Sequence, residues 1–348
     1  MKAAVLRAFH QPLSIEELPI PEPGEGEVLA KILACGLCAS DLHIADGMID
    51  SVRLPYTPGH EICGEIVALG DGVEEFAPGT RFVAGIDLIC GHCRFCRSGR
   101  GNLCASRVRL GFERDGGQAQ YCAIPAQCVF PISPHVPPEQ AAVVPDAVAC
   151  MYHAMRQGNV GPGSVICITG VGGLGLQGIQ IAKHLGAVVI ATSRKDAKLA
   201  LAEQMGADYT VNTSRSQLSE EVARMTGGGL CDVVFDNIGS AGSVDQSLKL
   251  LRRGGKVIVV GYNEPRFSVD YMDLVINEKE IIGIRGSTRE ELREVIRLVE
   301  EGIITPYIHR TYPLTDIVEA LDSLRAGEAM GRTVVLPNGC GEGKERDN

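Results

Sequence analysis

A chain of 348 residues, 45% apolar and 22% charged, has the length of about two domains and enough apolar sequence for sizeable cores. Its net charge of −10 argues against nucleic acid as a partner. With no apolar run long enough to span a bilayer and no secretory leader after Met1, the chain reads as cytoplasmic, with no membrane partner. Thirteen cysteines in a reducing compartment point to metal ligands or buried thiols rather than disulfides.

Residues 1–34 alternate short apolar runs with turns bounded by Pro12, Pro19, Pro21 and Pro23, and Glu27–Ala34 is a strand by pattern. Gly64–Gly70 and Thr80–Ala84 extend this all-β grammar to about residue 130. Within it lie Cys38-Ala39-Ser40-Asp41-Leu42-His43 and Gly59-His60-Glu61. Taken singly, a cysteine or histidine here is ordinary core or surface. Cys90, Cys93, Cys96 and Cys104 are different, because their C-x2-C-x2-C-x7-C spacing can wrap one tetrahedral ion. Four thiolates with no open position make a structural zinc site. Iron–sulfur runs of this kind place the fourth cysteine closer and follow it with proline, whereas Ala105 follows Cys104.

After about residue 148 strands and helices alternate. The strands expected are Val165–Thr169, Val188–Thr192, Tyr209–Asn212, Asp232–Asp236, Lys256–Val260 and Ile281–Arg285, which suit a doubly wound parallel sheet. The first runs into Gly170-Val171-Gly172-Gly173-Leu174-Gly175 and then an apolar helix. Strand, glycine turn and helix together form a dinucleotide fingerprint: the turn admits a pyrophosphate, and the helix N-terminus meets it with partial positive charge. NAD-preferring sheets end the second strand in an acidic residue. Ser193 stands there, followed by Arg194 and Lys195, so NADP is expected over NAD; the competing arrangement has Asp196 reach the ribose. Thr288-Arg289-Glu290-Glu291 is a capping box, and Leu292, Val295, Ile296 and Val299 recur at helical spacing after it. Residues 338–348, glycine-rich and charged, read as a frayed tail.

The order of Gly36–His43, Pro58–Glu61, the four-cysteine lobe, Gly170–Gly175 and Gly331–Val335 resembles the zinc-dependent medium-chain alcohol dehydrogenases over nearly the whole length. The resemblance implies an α/β protein with a Rossmann doubly wound sheet and a GroES-like, mostly-β catalytic domain split in sequence. The expected divisions are 1–148 for the catalytic domain with its lobe at about 87–105, 149–286 for the Rossmann domain, and 287–348 for the return and tail. It implies two zinc ions per chain. Cys38 and His60 match the first two catalytic ligands, and Glu61 a residue that approaches or joins the metal. Alignment on Tyr152-His153-Ala154 puts Asp146 at the third position, where many members have cysteine and some bacterial secondary-alcohol dehydrogenases have aspartate. Alcohol dehydrogenases are the standing example of a Cys₂His set, and Cys-His-Asp leaves the same open position. The competing arrangement has Asp146 cap a helix while Cys150, four residues on, turns inward.

By the same resemblance Ser40 accepts the substrate proton and His43 passes it on through the nicotinamide ribose. Lys198 touches the adenosine ribose, Arg332 the pyrophosphate, and Ile86, Asp87 and Arg285 give a polar pocket wall that hints at a polyol or functionalised alcohol. The expected activity is hydride transfer between NADP(H) and a small alcohol and its ketone or aldehyde, in a homodimer or homotetramer. A reductase of activated C=C bonds commonly lacks the Cys38–His60–Asp146 set, and a non-catalytic NADP-binding protein has no use for a proton relay.

Overall fold

The computed structural model describes residues 1–263 and 266–339; of the tail expected at 338–348, residues 340–348 lie outside them. Contacts divide the chain into two units. One holds residues 1–146, 288–301 and those from 308 on, and the other holds 147–287 and 302–307. The sequence assigned 302–307 to the return segment. They join the second unit because Gln180 clamps Thr305, donating to its carbonyl (3.0 Å) and accepting from its N–H (3.0 Å).

The first unit is built on a seven-stranded sheet. Its spatial order is Ile308–Pro313, Arg332–Leu336, Glu27–Leu37, Glu61–Leu69, Arg81–Ala84 and Val129–Pro131, with Tyr121–Pro125 also paired to Glu27–Leu37. Strict alternation along residues 27–34 sends Val28, Ala30 and Ile32 into a core shared with Ile62, Ile66, Phe82 and Ile124. A second cluster gathers Leu37, Ile44, Tyr56, Phe112, Ile317 and Val335 under the short helix Ala39–Ala45. The helix Arg289–Glu300 belongs to this unit. Thr288 Oγ1 accepts from Glu291 N–H (3.2 Å) and Glu291 accepts from Thr288 N–H (2.8 Å), so the capping box forms, and Leu292, Val295, Ile296 and Val299 are buried.

The second unit is a parallel sheet of Val165–Thr169, Val188–Ser193, Tyr209–Asn212, Cys231–Asp236, Leu251–Val259 and Glu280–Gly283, ordered 3-2-1-4-5-6 in space. That order reverses between the first and fourth strands, which puts a crevice at their carboxyl ends. Among the described residues no helix is long and apolar enough to cross a membrane.

Candidate active site and metal centres

Two groups of side chains converge within the first unit. In the lobe, the Cys90, Cys93, Cys96 and Cys104 sulfurs all lie within 4.8 Å of one another. The Cys93–Cys96 and Cys90–Cys104 separations are 3.5 Å and Cys90–Cys96 is 3.9 Å. Bonds of about 2.3 Å to a tetrahedral zinc would set sulfurs about 3.8 Å apart, while a disulfide needs about 2.05 Å. The spacing fits the ion. Local backbone favours two of the thiolates: N–H groups of His92 and Cys93 lower Cys90 to about 6, and that of Cys96 lowers Cys93, whereas burial pushes the Cys96 thiol up to about 12.

The second group is Cys38, His60, Glu61 and Asp146, again within 4.8 Å. Cys38 is the N-cap of the helix Ala39–Ala45, His60 and Glu61 stand at the start of the strand Glu61–Leu69, and Asp146 sits in a π-helical turn, Val144–Val148. Such turns occur mostly as single insertions and are frequent at functional sites. The Cys38 thiol donates to Asp146 Oδ2 (3.4 Å), and His60 Nε2 lies 3.9 Å from the same oxygen. His60 Nδ1 faces Asp41 Oδ1 at 3.9 Å, leaving Nε2 for a metal in the usual carboxylate–histidine pattern. The Phe112 ring packs against His60 with centroids 4.9 Å apart.

This site is short of positive charge. Burial pushes the Glu61 carboxyl well above its ordinary value, against the pull of Arg332 and with the added push of Asp146 and Cys38. Burial works against an ionised Asp146 too, but hydrogen bonding to His60 and the charge of Arg332 hold it below the carboxylate range. Burial likewise opposes a charged His60, yet Asp146 and Cys38 raise it well above its ordinary value. Sulfur, imidazole nitrogen and carboxylate oxygen crowded around one arginine are the donor set and charge balance that a zinc ion fits.

Sequence reasoning gave no role to Asp41, Gln118 or Gly36. Asp41, 4% exposed, accepts from Cys38 N–H (2.8 Å) and from Gln118 Nε2 (3.2 Å), so one carboxylate fixes the backbone of one ligand and faces the ring of another. Its position three residues after Cys38, where a capping box places its acid, was the available signal. Arg332 Nη2 lies 2.6 Å from Glu61 Oε1 and 2.7 Å from Asp146 Oδ2. The guanidinium expected at a pyrophosphate is therefore already engaged by two carboxylates. Ser40 Oγ is 3.7 Å from Cys38 Sγ, and His43 follows one helical turn later. Asp87 pairs with Arg107 (3.8 Å) and Ile86 packs on the core beneath, while Arg285 lies in the second unit just past the strand Glu280–Gly283. Asp146, and not Cys150, joins the ligand group among the described residues.

In the second unit Gly170 takes φ +78 directly after the first strand, where a side chain would be strained. A Cβ on Gly175 would meet Gly170 O at 2.8 Å, so the turn closes tightly onto the helix Gly175–His184. Gly172, Gly173 and Leu174 complete the turn. Ser193 ends the second strand, its Oγ accepting from Lys195 N–H (3.1 Å). Burial, then Lys195 and Arg194, lower the pKa of Lys198, so three cations share this strand end. The acid that could take their place beside a ribose is occupied: Asp196 accepts from Asn212 Nδ2 (2.6 Å) and pairs with Arg215.

Comparison with known proteins finds two family models in the chain, an alcohol dehydrogenase GroES-like domain over residues 24–134 and a zinc-binding dehydrogenase over residues 173–301. An alcohol dehydrogenase of Geobacillus stearothermophilus is 35% identical over 337 residues, spanning 96% of this chain and 99% of its own. Among solved structures, an NAD-dependent alcohol dehydrogenase superposes with a TM-score of 0.92 at 31% identity, covering 97% of this chain and 99% of its own. A Sinorhizobium meliloti structure bound to NADP superposes with a TM-score of 0.89 at 32% identity and the same coverage.

Proposed function

The chain belongs to the zinc-binding medium-chain alcohol dehydrogenase family, and from that premise we propose that it interconverts a small alcohol and its ketone or aldehyde with NADP(H) in preference to NAD(H). Cys38 Sγ, His60 Nε2 and an Asp146 oxygen would hold the catalytic zinc, and the four lobe cysteines a second, structural one. When bound, the catalytic ion supplies a Lewis acid that polarises the oxygen on the reacting carbon. Asp41 accepts from the Cys38 N–H and its carboxylate faces the outer nitrogen of His60, so the Cys38 backbone is set before substrate arrives. Ser40 Oγ accepts the hydroxyl proton of the alcohol as it passes its own proton on, and His43, one turn along the same helix, takes that proton towards solvent. In solution we expect a homodimer or homotetramer.

The NADP preference rests on one observation: Ser193 ends a strand crowded by Arg194, Lys195 and Lys198 while Asp196 is held by Asn212 and Arg215. A 2′-phosphate finds donors there, and the nearby Asp196 carboxylate is already paired with Arg215. Steady-state assays with a panel of alcohols and carbonyls test it. Catalytic efficiency with NADP should exceed that with NAD, and Arg194→Asp should cut the NADP advantage by about tenfold, as expected for losing one charge-assisted hydrogen bond. Equal or better efficiency with NAD in the unaltered enzyme refutes the preference.

A further inference from the structure

Within the first unit, a cavity of about 600 Å³ lies between the helix Arg289–Glu300 and the strand Val129–Pro131, which ends that unit's sheet. Its volume is that of a small-molecule site, and none of its lining residues belongs to either metal group. Ala126, Val129, Phe130 and Ile296, all buried, give it an apolar floor. Arg289, Arg293 and Arg297 line it too, four residues apart along one face of the helix. The three arginines are not equivalent. Arg297 holds Glu294 (2.7 Å) and Glu301 (2.6 Å), and Arg293 pairs with Glu290. Among the described residues Arg289 has no carboxylate partner; it lies over the Phe130 ring, 4.8 Å from the centroid, and donates from Nη1 to the Gln127 carbonyl at 2.5 Å. Arg293, 5.5 Å from the same centroid, sets a like charge beside it. Burial first, and then Arg293, lower the Arg289 pKa, which agrees with a half-buried cation short of an anion.

We propose that this cavity binds a monocarboxylate with an apolar body, the carboxylate on the Arg289 guanidinium and the body on Val129, Phe130 and Ile296. A guanidinium presents paired N–H donors that match the two oxygens of a carboxylate, and the aromatic ring beneath Arg289 holds its plane in place. One negative charge is what the site can take. Arg293 and Arg297 are already balanced by glutamates, and Glu75 and Glu300 also line the cavity, so a second charge on the ligand meets repulsion instead of a partner. Glu300 is fixed in that position, since its Oε1 accepts from Ser133 N–H at 2.7 Å. The apolar body follows from the floor, where burying hydrocarbon against hydrocarbon supplies the rest of the binding energy. The site is independent of the cofactor and of the alcohol chemistry.

The chain has no tryptophan, so Phe76→Trp on the cavity wall places a single indole there, whose emission reports on this site and not on the metal centre. Octanoate titrated into the whole Phe76→Trp protein at about pH 8 should change that emission saturably. Octanamide, neutral and of the same shape, should bind about tenfold more weakly or worse, and octyl phosphate, doubly charged at this pH, should bind no more tightly than octanoate. Arg289→Gln in the same background should weaken octanoate by about tenfold, and Arg289→Lys by less. Calorimetric titration of octanoate into the unaltered and Arg289→Gln proteins repeats the comparison without the indole, and decides it should Phe76→Trp fail to fold. The proposal is overturned if octanoate gives no saturable signal by either method up to about 10 mM. It is equally overturned if Arg289→Gln binds octanoate as tightly as its parent, if octanamide matches octanoate, or if octyl phosphate binds more tightly than octanoate.

Discussion

A carboxylate that serves a metal must be ionised and must present one oxygen accurately. Asp146 meets both conditions through its surroundings, since Oδ2 faces Cys38 Sγ at 3.4 Å and is pinned by Arg332 at 2.7 Å. Asp146→Ala should therefore lose the catalytic zinc while keeping the lobe zinc, and Asp146→Cys should retain both, as metal analysis of the purified variants will show. A full complement in Asp146→Ala would hand the role to Glu61 or Cys150. Proton transfer is a separable matter. Ser40→Ala should lower turnover by about 10²-fold with zinc content unchanged, and His43→Gln should cost less and be partly rescued by added imidazole. Alcohol oxidation by Ser40→Ala at the unaltered rate would send the proton by another route. At this scale the sequence carried the candidate ligands but not the groups around them. Cys38, His60 and Asp146 could be aligned with a family, whereas Gly36 becomes meaningful only once the ladder sets it opposite Glu61.

Elements show where local pattern suffices and where it fails. Five of the six strands expected in the parallel sheet begin and end within two residues of their observed bounds, and the three at the centre, Val165–Thr169, Val188–Ser193 and Cys231–Asp236, are the apolar runs that burial on both faces requires. The fifth does not: Lys256–Val260 was expected, but the strand starts at Leu251. Arg252-Arg253-Gly254-Gly255 has the composition of a turn, and the chain passes through it as an irregularity, with Gly254 at φ +69 and the register slipping between Cys231 and Val233. The π-helical turn that carries Asp146 had no signature at all. In the lobe a bound metal would stand in for a core, so Cys93→Ser should lower the melting temperature markedly and lower zinc content to one ion per chain; two ions in a stable Cys93→Ser protein would contradict the four-thiolate site.

The segment that brings Phe112 against His60 has its own clasp. Glu113 accepts from Arg109 N–H (2.8 Å) and from Ser51 Oγ (2.6 Å), and pairs with the Arg109 guanidinium, which also stacks over Phe112 at 4.1 Å. Burial disfavours the Glu113 carboxylate, but these partners outweigh it and lower its pKa to about 2. A carboxylate depressed in the folded state adds stability that is complete above its unfolded pKa and is lost as pH falls through the folded one. Glu113→Gln should thus destabilise the protein fully at pH 7, and the difference in melting temperature should shrink from about pH 4.5 downward. A difference that persists unchanged at pH 3 would mean that packing, not charge, makes the clasp.

For the molecule as a whole, the surface of the second unit bears on assembly. The strand Glu280–Gly283 ends its sheet, so among the described residues one side of its backbone ladder has no strand partner. Just before it, the helix Tyr271–Ile276 leaves Tyr271, Met272, Val275 and Ile276 55–71% exposed. Single exposed apolar residues are ordinary, but four on one short helix next to an open sheet edge form the sort of patch that marks a protein–protein contact. The net charge of −10 acts in the opposite direction, since like-charged copies repel and the repulsion is strongest at low salt. Association through this face should therefore strengthen with ionic strength, the reverse of an interface held by ion pairs. Sedimentation velocity at micromolar concentration should show a dimer or tetramer that persists in high salt. Val275→Glu with Ile276→Glu places two charges where apolar surface is to be buried, and should weaken self-association by about tenfold or more. A monomer under all these conditions would remove the homo-oligomer, and an oligomer indifferent to the double substitution would move its interface to another face.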